Sequence, residues 1–320
     1  MLRSLFLCVL ALLLFTNTRA SAWEKRFSCA LAHYIIAVMR EGLGDLDSAI
    51  KEYKNALRLD YQSPRIHLSL GTAYLKKNNL SPAITELGLA GKFDPQAVEP
   101  HAILALIYSL QNKSQLASKE YEDALKNATK FQPKNVQIYK ELVALYLKEK
   151  KFMEAKNICQ LILDLSPADP ETYFYLANSY DALGDRNAAI TALKKSLELK
   201  PDYPEALNYL GYIYVEEERN LEQAEVMIKK ALEIDPDNAA YIDSLGWLYF
   251  KQGRYKEALQ ELERAVSLWD DPVIYDHLGD VYFKAGEIEK AKLSWQKSLE
   301  LDPKQQKVKA KIDGLPRKSN

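Results

Sequence analysis

The 320-residue sequence is poor in residues that punctuate a chain, with only 12 glycines and 13 prolines. That excludes a collagen-like or Pro-rich chain and favours long regular elements. Cysteine is scarcer still at three, too few for a disulfide framework. Neither charge dominates: 43 basic against 44 acidic residues leave −1. Without residues 1–22, which hold Arg3 and Arg19 and no acid, the balance is 41 against 44, or −3. A nucleic-acid partner calls for a strongly basic surface, so none is expected; the basic stretch from Lys304 to Lys318 reads as a solvated helix end. The sequence has no phosphate-binding G-x-x-x-x-G-K-[ST] loop, no G-x-G-x-x-G, no G-x-S-x-G elbow and no H-E-x-x-H helix. No catalytic residue, cofactor or small-molecule substrate is therefore expected, and the chain does not read as an enzyme.

Long apolar runs are missing too. The longest, Leu5 to Phe15, has 11 residues, short of the roughly 17–25 that span a bilayer. It follows Arg3 and precedes Thr16-Asn17-Thr18 and the small triplet Ala20-Ser21-Ala22. That order is a secretory signal peptide over residues 1–22, cut after an A-x-A site. The expected location is outside the cytosol: periplasm or cell envelope if the source is bacterial, otherwise secreted. Membrane contact is expected only through partners or through an uncleaved N-terminus. Cys29 and Cys159 would remain after cleavage, about three repeats apart and too distant to pair within one chain.

What the sequence does contain is a period. Ala49, Ala83, Ala117, Ala155, Ala189, Ala224, Ala258 and Ala291 follow one another at steps of 34, 34, 38, 34, 34, 35 and 33. Twelve or thirteen residues before each stands Ala37, Gly71, Ala105, Val143, Ala177, Gly211, Gly246 or Gly279. Each of these is preceded by Leu or Ile, and Tyr follows three residues later in every unit but the first, which has Arg40. With the unit numbered from 1, the apolar positions 4, 7, 8 and 11 form one helical face and 20, 24 and 27 a second. Polar turns such as Gly44-Asp45, Gly184-Asp185 and Gly253-Arg254 separate the two helices. Pro95, Pro167, Pro201, Pro236 and Pro303 close the units. Small residues at 8 and 20 let paired backbones approach, and neighbouring pairs must stack to bury their faces.

This pattern resembles the tetratricopeptide repeat (TPR), and the stretches Asn208 to Gly211, Asp243 to Trp247 and Asp276 to Asp280 are similar to those of exported bacterial envelope proteins of that family. The resemblance implies an all-α, right-handed superhelical solenoid of antiparallel helix pairs. After a lead-in at 23–29, eight repeats are expected at 30–63, 64–97, 98–135, 136–169, 170–203, 204–238, 239–271 and 272–305, then a capping helix end and basic tail at 306–320. Four extra residues near Asn127 to Lys130 and one near Asn220 are expected in loops. His33, His67 and His101 share position 4, as do Tyr139, Tyr173 and Tyr275. Equivalent positions in stacked helices lie about 8–10 Å apart, so the histidines read as packing residues and no metal is expected.

In this family, positions 2, 5, 9 and 12 of the first helix face a groove that grips a peptide. Carried over, that surface comprises Phe174, Asn178 and Asp181, then Asn208 and Tyr212, then Asp243, Trp247 and Phe250, and finally Asp276, Asp280 and Phe283. The implied function is a non-catalytic scaffold or adaptor in the cell envelope with a protein or peptide partner. The alternatives are a structural spacer or oligomerisation subunit of a secretion, pilus, polysaccharide-export or outer-membrane assembly system with its groove unused, a glycan-polymer binder, or an enzyme. The lysine-asparagine clamp of some cytosolic co-chaperones is absent, since Lys140 is followed by Ala144 and Asn178 preceded by Phe174.

Overall fold

A computed structural model describes residues 22–315. The signal-peptide assignment for residues 1–22 lies almost wholly outside them. The described residues form seventeen helices and no strand. The chain divides into two compact units, Met1–Leu145 and Tyr146–Asn320.

In the first unit, the helix pairs are α1 (Ala22–Gly42) with α2 (Leu46–Leu59), α3 (Pro64–Lys76) with α4 (Leu80–Phe93), and α5 (Glu99–Leu110) with α6 (Ser114–Phe131). Helix α7 (Val136–Lys148) carries the division. The second unit continues with α8 (Phe152–Leu165) and the pairs α9 (Pro170–Ala182) with α10 (Arg186–Leu199), α11 (Pro204–Glu216) with α12 (Leu221–Ile234), α13 (Ala239–Lys251) with α14 (Tyr255–Leu268), and α15 (Pro272–Lys284) with α16 (Ile288–Leu301). Helix α17 (Gln306–Asp313) packs on α16.

The small positions do what their spacing requires. Ala49, Ala83, Ala155, Ala189, Ala224, Ala258 and Ala291 have 0% exposure; only Ala117 is half-buried. A β-carbon on Gly71, Gly211 or Gly246 would fall 2.7–2.8 Å from the residue at position 24 of the paired helix, namely Leu87, Ile228 or Leu262. At Gly279 the neighbour is the Trp295 indole, which stands closer still. Glycine here permits helix contact, and the large residue opposite fills the space that it leaves.

The turn within each pair has its own rule. Gly44, Gly184, Gly253 and Gly286 have φ between 75° and 86°. Asn78, Asn112, Lys150 and Glu218 occupy the same place with φ of 49–59°. One left-handed residue is thus needed at each of these eight turns, and four are built without glycine, at a cost of about 1–2 kcal/mol apiece for a side chain without local hydrogen bonding. Asp45 and Asp185 follow the turn as N-caps, accepting from the backbone N–H of Ser48 and Ala188. Pro64, Pro170, Pro204 and Pro272 open first helices, where a missing N–H costs nothing.

The insertion in the third unit departs from expectation. Its four residues do not form a loop. They lengthen α6 to 18 residues against 14 in the other second helices, which is one extra turn. Asn127 holds that turn in place, donating from Nδ2 to the Pro95 and Ala97 carbonyls at 2.9 and 3.2 Å. The single extra residue near Asn220 does sit in a turn, where Asn220 adopts a second left-handed conformation (φ 51°). Residues 23–29 lie within α1, with Trp23 stacked on Phe27 at 5.6 Å on an exposed face. Gly314 ends α17 with φ −82°, not in the left-handed form. Cys29 is exposed and Cys159 buried, both free; burial, then the Asp169 charge, pushes the Cys159 thiol up to about 12. No helix among the described residues is long and apolar enough to cross a membrane.

Candidate functional site

The eleven residues carried over from the repeat pattern all lie on the first helices of the second unit. Their surroundings differ sharply.

On α9, Phe174 packs on Tyr203 and Tyr209 with ring centroids 5.5 and 6.3 Å apart. Asn178 turns its Nδ2 back to the Phe174 carbonyl at 2.9 Å. Asp181 accepts from the Tyr209 hydroxyl at 2.7 Å and lies 2.6 Å from Arg186 Nε. These groups are engaged within the stack.

On α11, Asn208 and Tyr212 are half-buried and line a cavity of about 230 Å³ with Tyr209, Asp243 and Trp269. The Asn208 Oδ1 atom is buried and has no hydrogen-bond partner. A sealed amide oxygen without a donor costs about 1–3 kcal/mol.

On α13 two of the carried-over residues are covered by the next repeat. Asp243 and Trp247 are buried, at 6% and 8% exposure. The Trp247 indole is stacked between His277 (4.0 Å) and Phe250 (4.7 Å), and its Nε1–H donates to Glu216 at 2.6 Å. Asp243 accepts from His277 Nδ1 at 2.9 Å. Trp247 is thus packed between repeats in the free protein, and Asp243 is the hydrogen-bond partner of His277. The cause is His277, whose ring stacks on Trp247 and whose Nδ1 meets the Asp243 carboxylate. Burial depresses the His277 pKa, but the Asp243 charge and hydrogen bond, with Asp276 and Asp280 beyond, outweigh it and leave the pKa raised.

On α15, Asp276 and Asp280 face Lys311 of α17, whose Nζ lies 2.7 Å from an oxygen of each. Phe283 is 40% exposed and leans on Trp295 at 5.7 Å. Phe250 and Phe283 line one cavity of about 300 Å³, although Trp247 does not share it.

Sequence reasoning also missed a tie in the first unit. His33, His67 and His101 each place Nδ1 at 2.6–2.7 Å from a carboxylate nineteen residues on: Glu52, Glu86 and Glu120. The signal was present in the sequence. The three units with His at position 4 all carry Glu at 23, one turn before the small residue at 27. At His67, Nε2–H also donates to the Tyr61 carbonyl at 2.9 Å. Both ring nitrogens are thus donors, which fits an imidazolium. Burial lowers the His67 pKa, but these bonds and the Glu86 and Asp60 charges raise it overall. His101, Glu120 and Asp123 bring three potential ligand atoms within 4.8 Å. The same His–Glu pair recurs in the first two units, where Asn55 and Leu89 replace the Asp. The arrangement is thereby explained as a bond between paired helices.

Comparison with known proteins places these features. Residues 88–313 match the sequence profile of the cilia and flagella-associated protein 70 C-terminal domain, and residues 43–78 match a TPR repeat profile. The chain is 26% identical over 206 residues to the BBSome complex member bbs-4 of Caenorhabditis elegans, covering 54% of this chain and 44% of that protein. It is 23% identical over 197 residues to the anaphase-promoting complex subunit CDC16 of Saccharomyces cerevisiae, covering 59% and 23%. The chain thus spans less than half the length of these relatives. A tetratricopeptide repeat protein from Parabacteroides merdae superposes with a TM-score of 0.60 at 20% identity, over 79% of this chain and 98% of that one. Tetratricopeptide proteins are in general non-catalytic scaffolds that bind protein partners. The chain belongs to the tetratricopeptide-repeat proteins, within the family described as the cilia and flagella-associated protein 70 C-terminal domain.

Proposed function

We propose that the unit Tyr146–Asn320 holds a polypeptide segment of a partner protein along the first-helix face of its repeats. The observation that carries this is Asn208. Its Oδ1 is buried and unpaired in the free protein, and its side chain lines the cavity that Tyr212 and Trp269 also line, so a small turn of the amide brings the acceptor to that cavity. A buried acceptor of that kind is completed by an N–H donor, which a peptide backbone supplies. Both relatives carry printed names that make them parts of multi-protein complexes, which supports a partner of the same class here.

The sign of the expected effect is diagnostic. Asn208→Ala removes an acceptor that the free protein leaves unsatisfied, so thermal stability should stay level or rise slightly. Affinity for a purified native partner should fall about tenfold, the worth of one well-placed hydrogen bond of roughly 1.4 kcal/mol. Isothermal titration and a melting curve read both quantities. Unchanged affinity would remove Asn208 from the binding face and favour a spacer subunit whose groove is unused.

The proposal extends to location. Arg3, the apolar run Leu5 to Phe15 and Ala20-Ser21-Ala22 support export to the cell envelope, or secretion. Intact-mass analysis of native protein should give a chain that starts at Trp23. A full-length species held in a membrane fraction would replace cleavage by an N-terminal anchor.

A further inference from the structure

We infer that Asp276 and Asp280, with the Phe250, Phe283 and Trp295 rings, form a subsite for a lysine or arginine side chain of a partner polypeptide, and that Lys311 of the chain's own last helix fills it in the free protein. This rests on the reading of the first-helix face as the binding face, and adds the charge of what binds there.

The chemistry is displayed by Lys311 itself. Its Nζ lies 2.7 Å from Asp276 Oδ1 and 2.7 Å from Asp280 Oδ1, and 5.9 Å from the centre of the Trp295 ring. Trp295 Nε1–H donates to the same Asp280 oxygen at 3.1 Å. A cation held by two carboxylates and an aromatic face is how a protein binds an ammonium or guanidinium. The Asp pair also needs a cation. Burial raises the Asp280 pKa, Lys311 and the Trp295 bond oppose that rise, and Asp276 adds to it. A bare pair of carboxylates here would be costly, so departure of Lys311 favours entry of another cation.

The occupant is built to be replaceable. Helix α17 has eight residues, too few to persist alone. Val308 is its one fully buried side chain, with Ile312 and the following Leu315 partly buried on the core. Beside Lys311, the cavity of about 300 Å³ against Phe250, Phe283 and Trp295 leaves room for the apolar stem of an incoming side chain. The other cation that lines this cavity, Lys284, is exposed, and the ion pairs of Asp276 and Asp280 are with Lys311.

The probe is a fluorescent peptide with the sequence Lys304 to Leu315 of this chain, added to the full-length protein. Wild type should bind it weakly, because its own helix competes. Lys311→Ala should bind it about tenfold more tightly, since a larger fraction of molecules has the subsite open. Asp276→Asn with Asp280→Asn in the Lys311→Ala protein should abolish that gain. So should a peptide with Gln in place of the lysine that matches Lys311. Circular dichroism and melting curves confirm that each variant is folded; Lys311 is partly exposed, and its loss leaves Val308 in place. Equal binding by wild type and Lys311→Ala, or a gain indifferent to the two Asp→Asn changes, overturns the assignment. The two readings fail separately. If the native partner binds normally to the Asp276→Asn, Asp280→Asn protein but not to Asn208→Ala, the groove stands and the cation subsite falls. If the peptide responds as expected while Asn208→Ala binds the native partner as wild type does, the reverse holds.

Discussion

Ala258→Arg is expected to open the repeats around it while the distant ones stay closed. Ala258 has 0% exposure, and its carbonyl lies 3.4 Å from where a Gly246 β-carbon would stand. No room exists for a longer side chain between α13 and α14. Overpacking a core costs about 1–3 kcal/mol, and an unpaired buried charge adds several more. In a repeat array, energy is shared chiefly between neighbours. Protection of α13 to α16 in hydrogen exchange should therefore fall steeply; a local loss of about 3 kcal/mol corresponds to a rate increase of roughly 100-fold. Helices α1 to α6 should exchange as in wild type. Equal acceleration throughout Tyr146–Asn320 would mean that this unit melts as one body. An unchanged pattern would remove Ala258 from the helix contact.

This contact was legible because it is written as a period. Alanine or glycine at two fixed positions is demanded by the closest approach of two backbones, and each unit repeats that demand. The left-handed turn was legible only where glycine fills it. Lys150 and Glu218 adopt the same conformation without any sign in their chemistry, because the rest of the turn imposes it. The extra turn of α6 was misread as a loop for a related reason: four inserted residues are close to one helical turn, so the helix absorbs them without shifting the face that follows.

The first-helix face was less legible, because side chains on one helix are answered by side chains on the next. The spacing of Trp247 and Phe250 did predict their neighbourhood, and they stack at 4.7 Å. What closes over Trp247 is His277, thirty residues on and one helix across. Asp243 sits at position 5 of its repeat, but His277 sits at position 6 of the next. That one-residue offset hides the pair from any alignment of equivalent positions. Lys311 was hidden differently. It belongs to the capping helix, which has no counterpart in the repeat unit.

His277→Ala should be the most costly single change on the first-helix face of this unit. His277 and Asp243 are buried at 6% exposure each, and Nδ1–H donates to both carboxylate oxygens at 2.9 and 3.1 Å. Removing the histidine leaves the Asp243 carboxylate buried without its cation and strips one face of the Trp247 stack. Breaking a buried ion pair from one side costs about 3–5 kcal/mol. Asp243→Asn combined with His277→Gln, which leaves neither charge, should recover a large part of that loss. The pair also gives the unit Tyr146–Asn320 a pH dependence of definite sign. The folded-state pKa of His277 is raised above its ordinary value near 6.5. Its contribution is therefore fully present below about pH 6.5 and is lost as pH rises through the raised value. Asp280, also raised by burial, acts in the same direction at lower pH, and His67 does so in the other unit. The informative quantity is thus the difference in unfolding free energy between wild type and His277→Gln, measured by urea titration at successive pH values. It should be largest near pH 6 and shrink as pH rises. A difference that is flat, or that grows with pH, would show that His277 is held neutral and that its role is to stack on Trp247 alone.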